Sequence, residues 1–208
     1  MAGLGGLVAI SRYARARRLR AAADLAAAIQ RDARDRTEAE RLSRLNASIA
    51  RALADRGNQH ALQACADALD RYLDGAFVRI WTLDEGAGTL LLSASAGACA
   101  PLDSRHARVV MGLYAVGTIA EARAPLVATP AAVDLPFADT AWIARERLVA
   151  FAGYPLLVGS RVVGVLAVFA RTELPSSALA AIELVAGAAA GDIDRRRVPS
   201  HPVPAHAA

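Results

Sequence analysis

The chain of 208 residues contains no lysine, and all 24 of its positively charged side chains are arginine. Aromatic residues make up only 5% of the sequence, so the core must be packed mainly from Leu, Val and Ala. The two cysteines, Cys65 and Cys99, do not form a metal-binding set, and no CxxC spacing occurs. This cysteine usage predicts a reduced, cytoplasmic protein.

The sequence also lacks the signals of a membrane or exported protein. Residues 1–10 are apolar but far too few to span a bilayer. Their basic residues follow the apolar run, whereas a secretory signal places them before it. We therefore expect no membrane span.

Sequence motifs of common enzyme classes are missing as well. No HExxH, GxSxG, Walker or GxGxxG pattern occurs, which argues against metalloprotease, hydrolase, nucleoside-triphosphatase and dinucleotide-binding classes. Of the four histidines, His201 and His206 fall in a proline-rich tail and His60 opens a helix, which leaves His106 as an isolated loop residue. We expect no catalysis.

Charge is distributed unevenly along the chain. Residues 1–60 hold twelve Arg against six acidic residues, whereas residues 61–194 hold nine Arg against fourteen. An acidic body argues against a nucleic-acid surface. The arginines of residues 12–20 are expected on a solvated helix face, with contact to lipid or nucleic acid there left open.

Two long apolar runs dominate the second half of the chain. Residues 149–158 and 161–169 are almost free of charge and are joined by Gly159 and Ser160, the composition of a type II′ hairpin. So long a charge-free hairpin belongs in the middle of a buried sheet. Further strands are predicted at 77–83, 89–95 and 126–128, and residues 98–115 are predicted to be a loop.

A long helix is predicted before the strands. Residues 11–56 are rich in Ala, Arg, Leu and Glu and contain neither Pro nor Gly. Two apolar stripes follow helical spacing, and Thr37 with Glu40 has capping-box spacing between them, so a continuous helix and a restart at Thr37 both remain open. About 45 helical residues span roughly 68 Å, too long for one domain to cover, which predicts self-association. The two stripes are Leu19, Ala22, Ala26, Ile29 and Ala33, and then Leu42, Leu45, Ile49 and Leu53.

The remaining helices complete the predicted organisation. One follows Asn58, one covers 117–124, one carries Trp142 with Asp139 or Thr140 as its N-cap, and one follows Pro175. The order of elements predicts an α+β fold, an antiparallel sheet with helices on both faces. We divide the chain into a flexible start (1–10), a long dimerisation helix (11–57), a globular domain (58–194) and a disordered tail (195–208).

Three segments resemble one family. Residues 149–169, the hairpin of residues 77–97 and the run Gly-Thr-Ile-Ala-Glu-Ala-Arg ending at Arg123 are similar to GAF domains, the small-molecule sensor modules of signalling proteins. The resemblance implies a GAF/PAS-like fold with a ligand cavity, a homodimer that senses a small molecule in signal transduction without catalysis, and a signalling partner such as a histidine kinase. Two alternatives remain: a structural or adaptor dimerisation module with a vestigial pocket, and a redox enzyme of the free methionine sulfoxide reductase type using Cys99.

The resemblance also bears on cofactors. Family members that bind bilin carry a cysteine beside a histidine, which neither Cys65 nor Cys99 has. A haem-binding member would need a histidine in the lid region, and residues 129–147 contain none. We expect no bilin, haem or metal.

Five residues are predicted to bind the ligand. Alternation along the first strand places Arg79 on one face with Phe77 and Trp81, where its guanidinium either reaches the rim or holds a carboxylate or phosphate. Aromatic residues of the lid helix and the hairpin are candidates to line the cavity. The predicted ligand-binding residues are Arg79, Trp81, Trp142, Phe151 and Tyr154.

Overall fold

A computed structural model describes residues 4–54, 59–97, 107–129 and 140–197. The chain divides into two compact units, residues 1–44 and residues 45–208. The first unit is the N-terminal part of a long helix, and the second contains the end of that helix together with a six-stranded sheet.

Helix α1 runs from Leu4 to Ala54 without interruption. The hydroxyl of Thr37 donates a hydrogen bond to the carbonyl of Ala33 (2.9 Å), one turn earlier, so Thr37 lies inside the helix and does not cap a second one. The helix begins before the expected start at Ser11. Its predicted end at Gly57 lies outside the described residues.

The two apolar stripes of α1 have different surroundings. Leu19 and Ile29 of the first stripe, in the first unit, are each exposed by 60% or more. In contrast, Leu45 and Ile49 in the second unit are almost completely buried. The first stripe is therefore exposed, whereas Leu45 and Ile49 of the second stripe belong to the core of the domain.

The second unit has α+β architecture, as the sequence predicts. All strand pairs are antiparallel, and the order across the sheet is β3-β2-β1-β6-β5-β4. In chain order the elements are α2 (Ala61–Tyr72), β1 (Phe77–Asp84), β2 (Thr89–Ala96), β3 (Arg108–Val110), α3 (Tyr114–Ala122), β4 (Leu126–Ala128), α4 (Thr140–Arg145), β5 (Ala150–Val158), β6 (Arg161–Ala170) and α5 (Ser176–Arg197).

The predicted hairpin forms the largest strand pairing, β5 with β6. Gly159 in its turn has φ of 60° and Ser160 does not have a positive φ, as a type II′ turn requires. Every residue of β6 after Arg161 is buried. The hairpin therefore lies in the middle of the domain.

Helices pack on both faces of the sheet. Helices α2 and α5 pack against one face, which we call the α5 face, and α3 packs against the other, the α3 face. Alternate residues of β1 divide between them: Phe77 and Trp81 join the core under α3, whereas Val78 and Ile80 point to the α5 face.

Three local features differ from the sequence expectation. Strand β3 lies within the predicted loop, and it is too short for alternation to reveal it. Helix α3 begins at Tyr114, earlier than predicted. Residues 195–197, assigned to the tail, form the last turn of α5, where Arg197 bonds to Glu85 (2.6 Å) and Arg196 to Asp192 (2.6 Å). The rest of the tail lies outside the described residues.

Helix α5 is long and apolar enough to cross a membrane, the one such helix in the described part of the chain. Half of its most apolar window is buried, and it packs on β5, β6 and α2. Its hydropathy is accounted for by its position as a core helix of the domain.

Candidate functional site

Arg79 is the central residue of the candidate site. It lies in the middle of β1, on the α3 face, and only 7% of its surface is exposed. Its guanidinium carbon lies 5.1 Å from the centroid of the Trp142 ring, within the range of a cation–π contact. The sequence left open whether this side chain extends to the rim. The structure places it inside, under an aromatic ring.

Trp142 covers the site from helix α4. Its ring meets Phe77 edge-on at a centroid distance of 5.3 Å and Phe169 at 5.2 Å. Phe169 in turn contacts Phe151 at 4.9 Å. These edge contacts fix the position of the indole more tightly than apolar burial alone would.

Arg171 fastens the end of α4 to the sheet. Its Nε donates to the backbone carbonyl of Glu146 (2.9 Å), and a terminal nitrogen pairs with the Glu146 carboxylate (2.8 Å). The same guanidinium lies 4.9 Å from the ring centroid of Phe77. The segment that carries Trp142 is therefore tied to β1 and β6 at its C-terminal end.

Four of the five predicted residues come together. Arg79, Trp81, Trp142 and Phe151 all belong to the α3 face of the sheet. Tyr154 does not join them. It lies three positions after Phe151, and alternation turns its ring to the α5 face, where burial first and the carboxylate of Glu183 second raise the pKa of its phenol.

Ser95 is a polar residue of this face that the sequence did not single out. It stands directly opposite Arg79 in the β1–β2 pairing, so both side chains lie on the α3 face. Its Oγ is buried, and no hydrogen-bond partner lies within reach among the described residues. Gln63 fixes the Ser95 backbone by accepting from its N–H (3.1 Å) and donating to its carbonyl (2.8 Å).

The cysteines separate into one buried residue and one undescribed residue. Cys65 is fully buried on α2, and burial followed by the nearby Asp192 carboxylate raises the pKa of its thiol to about 12. Such a thiol is almost entirely protonated at neutral pH, and the thiolate is the nucleophilic form. Cys99 lies outside the described residues, as does His106.

Metal-ligating residues do not cluster in the described parts of the chain, where no group of three His, Cys, Asp or Glu side chains is close enough to hold an ion. The expectation that the protein uses no bilin, haem or metal stays a prediction.

Solved structures similar to the second unit include proteins of different activities. The nlh2 GAF domain of A. aeolicus in an inactive state is 20% identical with a TM-score of 0.62, over 76% of this chain and 99% of that one. The GAF domain of a phosphoenolpyruvate-protein phosphotransferase (ptsP) from Coxiella burnetii is 17% identical with a TM-score of 0.65, over 77% and 94%. The free methionine-R-sulfoxide reductase from Neisseria meningitidis, in complex with its substrate, is 15% identical with a TM-score of 0.64, over 77% and 92%.

Sequence comparison agrees with the fold. A search of the curated proteins finds no match. The family model for the GAF domain, in contrast, matches residues 57–193, which include every strand of the sheet and helices α2 to α5 up to Ile193. At these low identities the solved structures establish the fold, and the family model adds the sequence pattern. The chain belongs to the GAF domain family.

Proposed function

We propose that this protein is a sensory GAF domain that binds a small molecule on the α3 face of its sheet and does not transform it. The observation that carries the proposal is the buried Arg79 beneath Trp142, on a face built mainly from apolar side chains. Binding sites for small molecules combine apolar and aromatic walls with a few placed polar groups. We expect the protein to be cytoplasmic and to act together with a signalling partner such as a histidine kinase.

Native mass spectrometry of the purified protein tests ligand binding directly. We expect a low-molecular-weight compound to co-purify and to be released on denaturation. Arg79→Gln, which removes the charge from the site, should reduce its occupancy, whereas Arg108→Gln on the exposed edge strand β3 should not. If no compound is retained and a broad metabolite library gives no binding, the adaptor alternative replaces the proposal.

We also propose that the protein is a homodimer associated through the first apolar stripe of α1. Leu19 and Ile29 of this stripe are each exposed by 60% or more. A second copy of the same helix is the simplest surface that could cover it, since matched apolar stripes drive helix pairing.

Charged substitutions in the full-length chain test the dimer. Leu19→Glu and Ile29→Glu should give a monomer by light scattering while circular dichroism stays unchanged, because both positions are exposed within the chain. Ala28→Glu, placed away from the stripe by helical geometry, is the matched control and should remain dimeric. A wild-type monomer at tens of micromolar would contradict the proposal.

The reductase alternative depends on cysteine chemistry. The similarity to a substrate-bound free methionine-R-sulfoxide reductase favours testing it. Cys65 is a poor candidate for the nucleophile because its thiol is buried and protonated, which leaves Cys99. We expect no reduction of free methionine sulfoxide by the protein in the presence of a thiol reductant. Turnover that is lost in Cys99→Ser would establish the enzyme instead.

A further inference from the structure

We propose that the ligand of this domain carries a carboxylate, and that Arg79 and Ser95 bind it together. This inference rests on the proposed function, since it names the chemical class recognised at the same site. It adds Ser95 as a determinant of specificity.

The state of Ser95 is the first argument. Its Oγ is buried without a hydrogen-bond partner among the described residues. Burying a hydroxyl without a partner costs free energy that a bound acceptor would recover. The two hydrogen bonds to Gln63 hold the Ser95 backbone in place, so the hydroxyl is fixed on the α3 face before any ligand arrives.

The position of Ser95 relative to Arg79 is the second argument. Residues directly opposite each other in an antiparallel pair have Cβ atoms about 4.5–5.5 Å apart, and this pair is in register. One planar carboxylate can accept from the guanidinium through one oxygen and from the hydroxyl through the other.

The surroundings define the rest of the ligand. Phe77 and Trp142 lie on the same face as the two polar residues, and Leu92 packs against this core while remaining only partly buried. These side chains favour an apolar body attached to the carboxylate. A cationic group at the same place would be repelled by the buried Arg79.

Three probe molecules that share the same aromatic ring test whether the ligand must carry a negative charge. Benzoate, benzamide and benzylamine differ in the charge of the substituent and share the same ring. By isothermal titration calorimetry on the full-length protein, we expect benzoate to bind and the neutral and cationic probes to bind at least about tenfold more weakly, the loss expected when a buried charge-assisted contact is missing.

Substitutions of Ser95 and Arg79 then test whether these two residues bind the carboxylate. Ser95→Ala should weaken benzoate about tenfold without affecting benzamide, and Ser95→Thr, which keeps the hydroxyl, should restore most of the affinity. Ser93→Ala removes a hydroxyl from the same strand and is the matched control, because Ser93 is exposed and bonds to Thr82 instead. Arg79→Lys keeps the charge but loses the planar fork and should bind benzoate more weakly than wild type.

The outcomes separate this inference from the function on which it rests. If benzamide or benzylamine binds as well as benzoate, or Ser95→Ala leaves benzoate unaffected, small-molecule binding stands and the carboxylate assignment falls. If none of the three probes binds at millimolar concentration, the carboxylate assignment also falls, while a co-purifying compound seen by native mass spectrometry would still support a sensor.

Discussion

The Arg171 guanidinium contacts Glu146 at two points: it donates to the Glu146 backbone carbonyl and it pairs with the Glu146 carboxylate. Glu146 follows α4 directly, and the turn after it places Arg147 at φ 54°, in the left-handed region. The Leu148 N–H donates back to the Ile143 carbonyl (3.0 Å), which closes the end of the helix. Arg171, which directly follows β6, thus attaches the C-terminal end of the helix that carries Trp142.

Arg171→Gln should loosen α4 without unfolding the domain. The pair is partly exposed, so we expect the free energy of unfolding to fall by less than about 1 kcal/mol. Local opening should nevertheless increase, and hydrogen exchange at the Leu148 amide is the measurement that reports it. Arg108→Gln is the surface control. Equal exchange rates in wild type and Arg171→Gln would show that the aromatic contacts of Trp142 hold the helix unaided.

Gly164 should tolerate no side chain. A Cβ on Gly164 would lie 2.1 Å from the backbone oxygen of Trp81 on the adjacent strand, and backbone cannot move aside as a side chain can. We expect Gly164→Ala to lower the free energy of unfolding in urea by about 1–3 kcal/mol or more. Gly187 on α5 has open space around its Cβ position, so Gly187→Ala should stabilise by about 0.5–1 kcal/mol. If Gly164→Ala left the free energy of unfolding unchanged, β1 and β6 would have to lie further apart at this point than the 2.1 Å approach to the Trp81 oxygen implies.

Cys65 should be chemically inert in the folded protein. With a thiol pKa of about 12, roughly one molecule in ten thousand carries the thiolate at pH 8. In a Cys99→Ser background, we expect a thiol reagent to modify Cys65 only when the protein is unfolded in urea. Modification of the folded protein at the rate of a free thiol would show that α2 opens readily, and would return Cys65 to the list of candidate nucleophiles.

The fold was largely predictable because its central elements carry strong local signals. Two apolar runs around Gly159 leave little alternative to a buried hairpin, and a long stretch without Pro or Gly favours α1. Strand β3 was not predictable, because three residues carry no period and gain their structure from pairing with β2. The burial of Leu45 and Ile49 likewise depends on tertiary packing that the stripe alone does not reveal.

Only that part of the candidate site which follows from the alternation of side chains along a β-strand could be predicted. Alternation along β1 places Arg79 and Trp81 on the same face of the sheet. Alternation along β5 also places Tyr154 and Phe151 on opposite faces, because they are three residues apart. Ser95 could not be found in this way. If the β1–β2 pairing continued from the turn without a bulge, Ala94 would lie opposite Arg79. A β-bulge between Leu92 and Ala94 adds one residue to β2, so Ser95 lies opposite Arg79 instead.

Asp70 on α2 should destabilise the protein at neutral pH. Burial is the main cause that raises the pKa of its carboxyl above the ordinary 3.8, the charge of Asp67 adds to it, and Arg71 opposes it. A carboxyl whose pKa is higher in the folded state binds its proton more tightly there, so stability falls as pH rises through the window between the unfolded and folded pKa values. The ionised form costs stability throughout the range above that window.

Asp70→Asn should therefore unfold at higher urea concentration than wild type at pH 7. The difference should shrink as pH falls through the folded pKa of Asp70 and vanish below about 3.8, where both proteins carry a neutral group. Glu173→Gln, at an exposed position before α5, removes a charge of the same sign and should show no such trend. An advantage of Asp70→Asn that stays constant with pH would come from the amide's hydrogen bonds, and would contradict a raised pKa at this position.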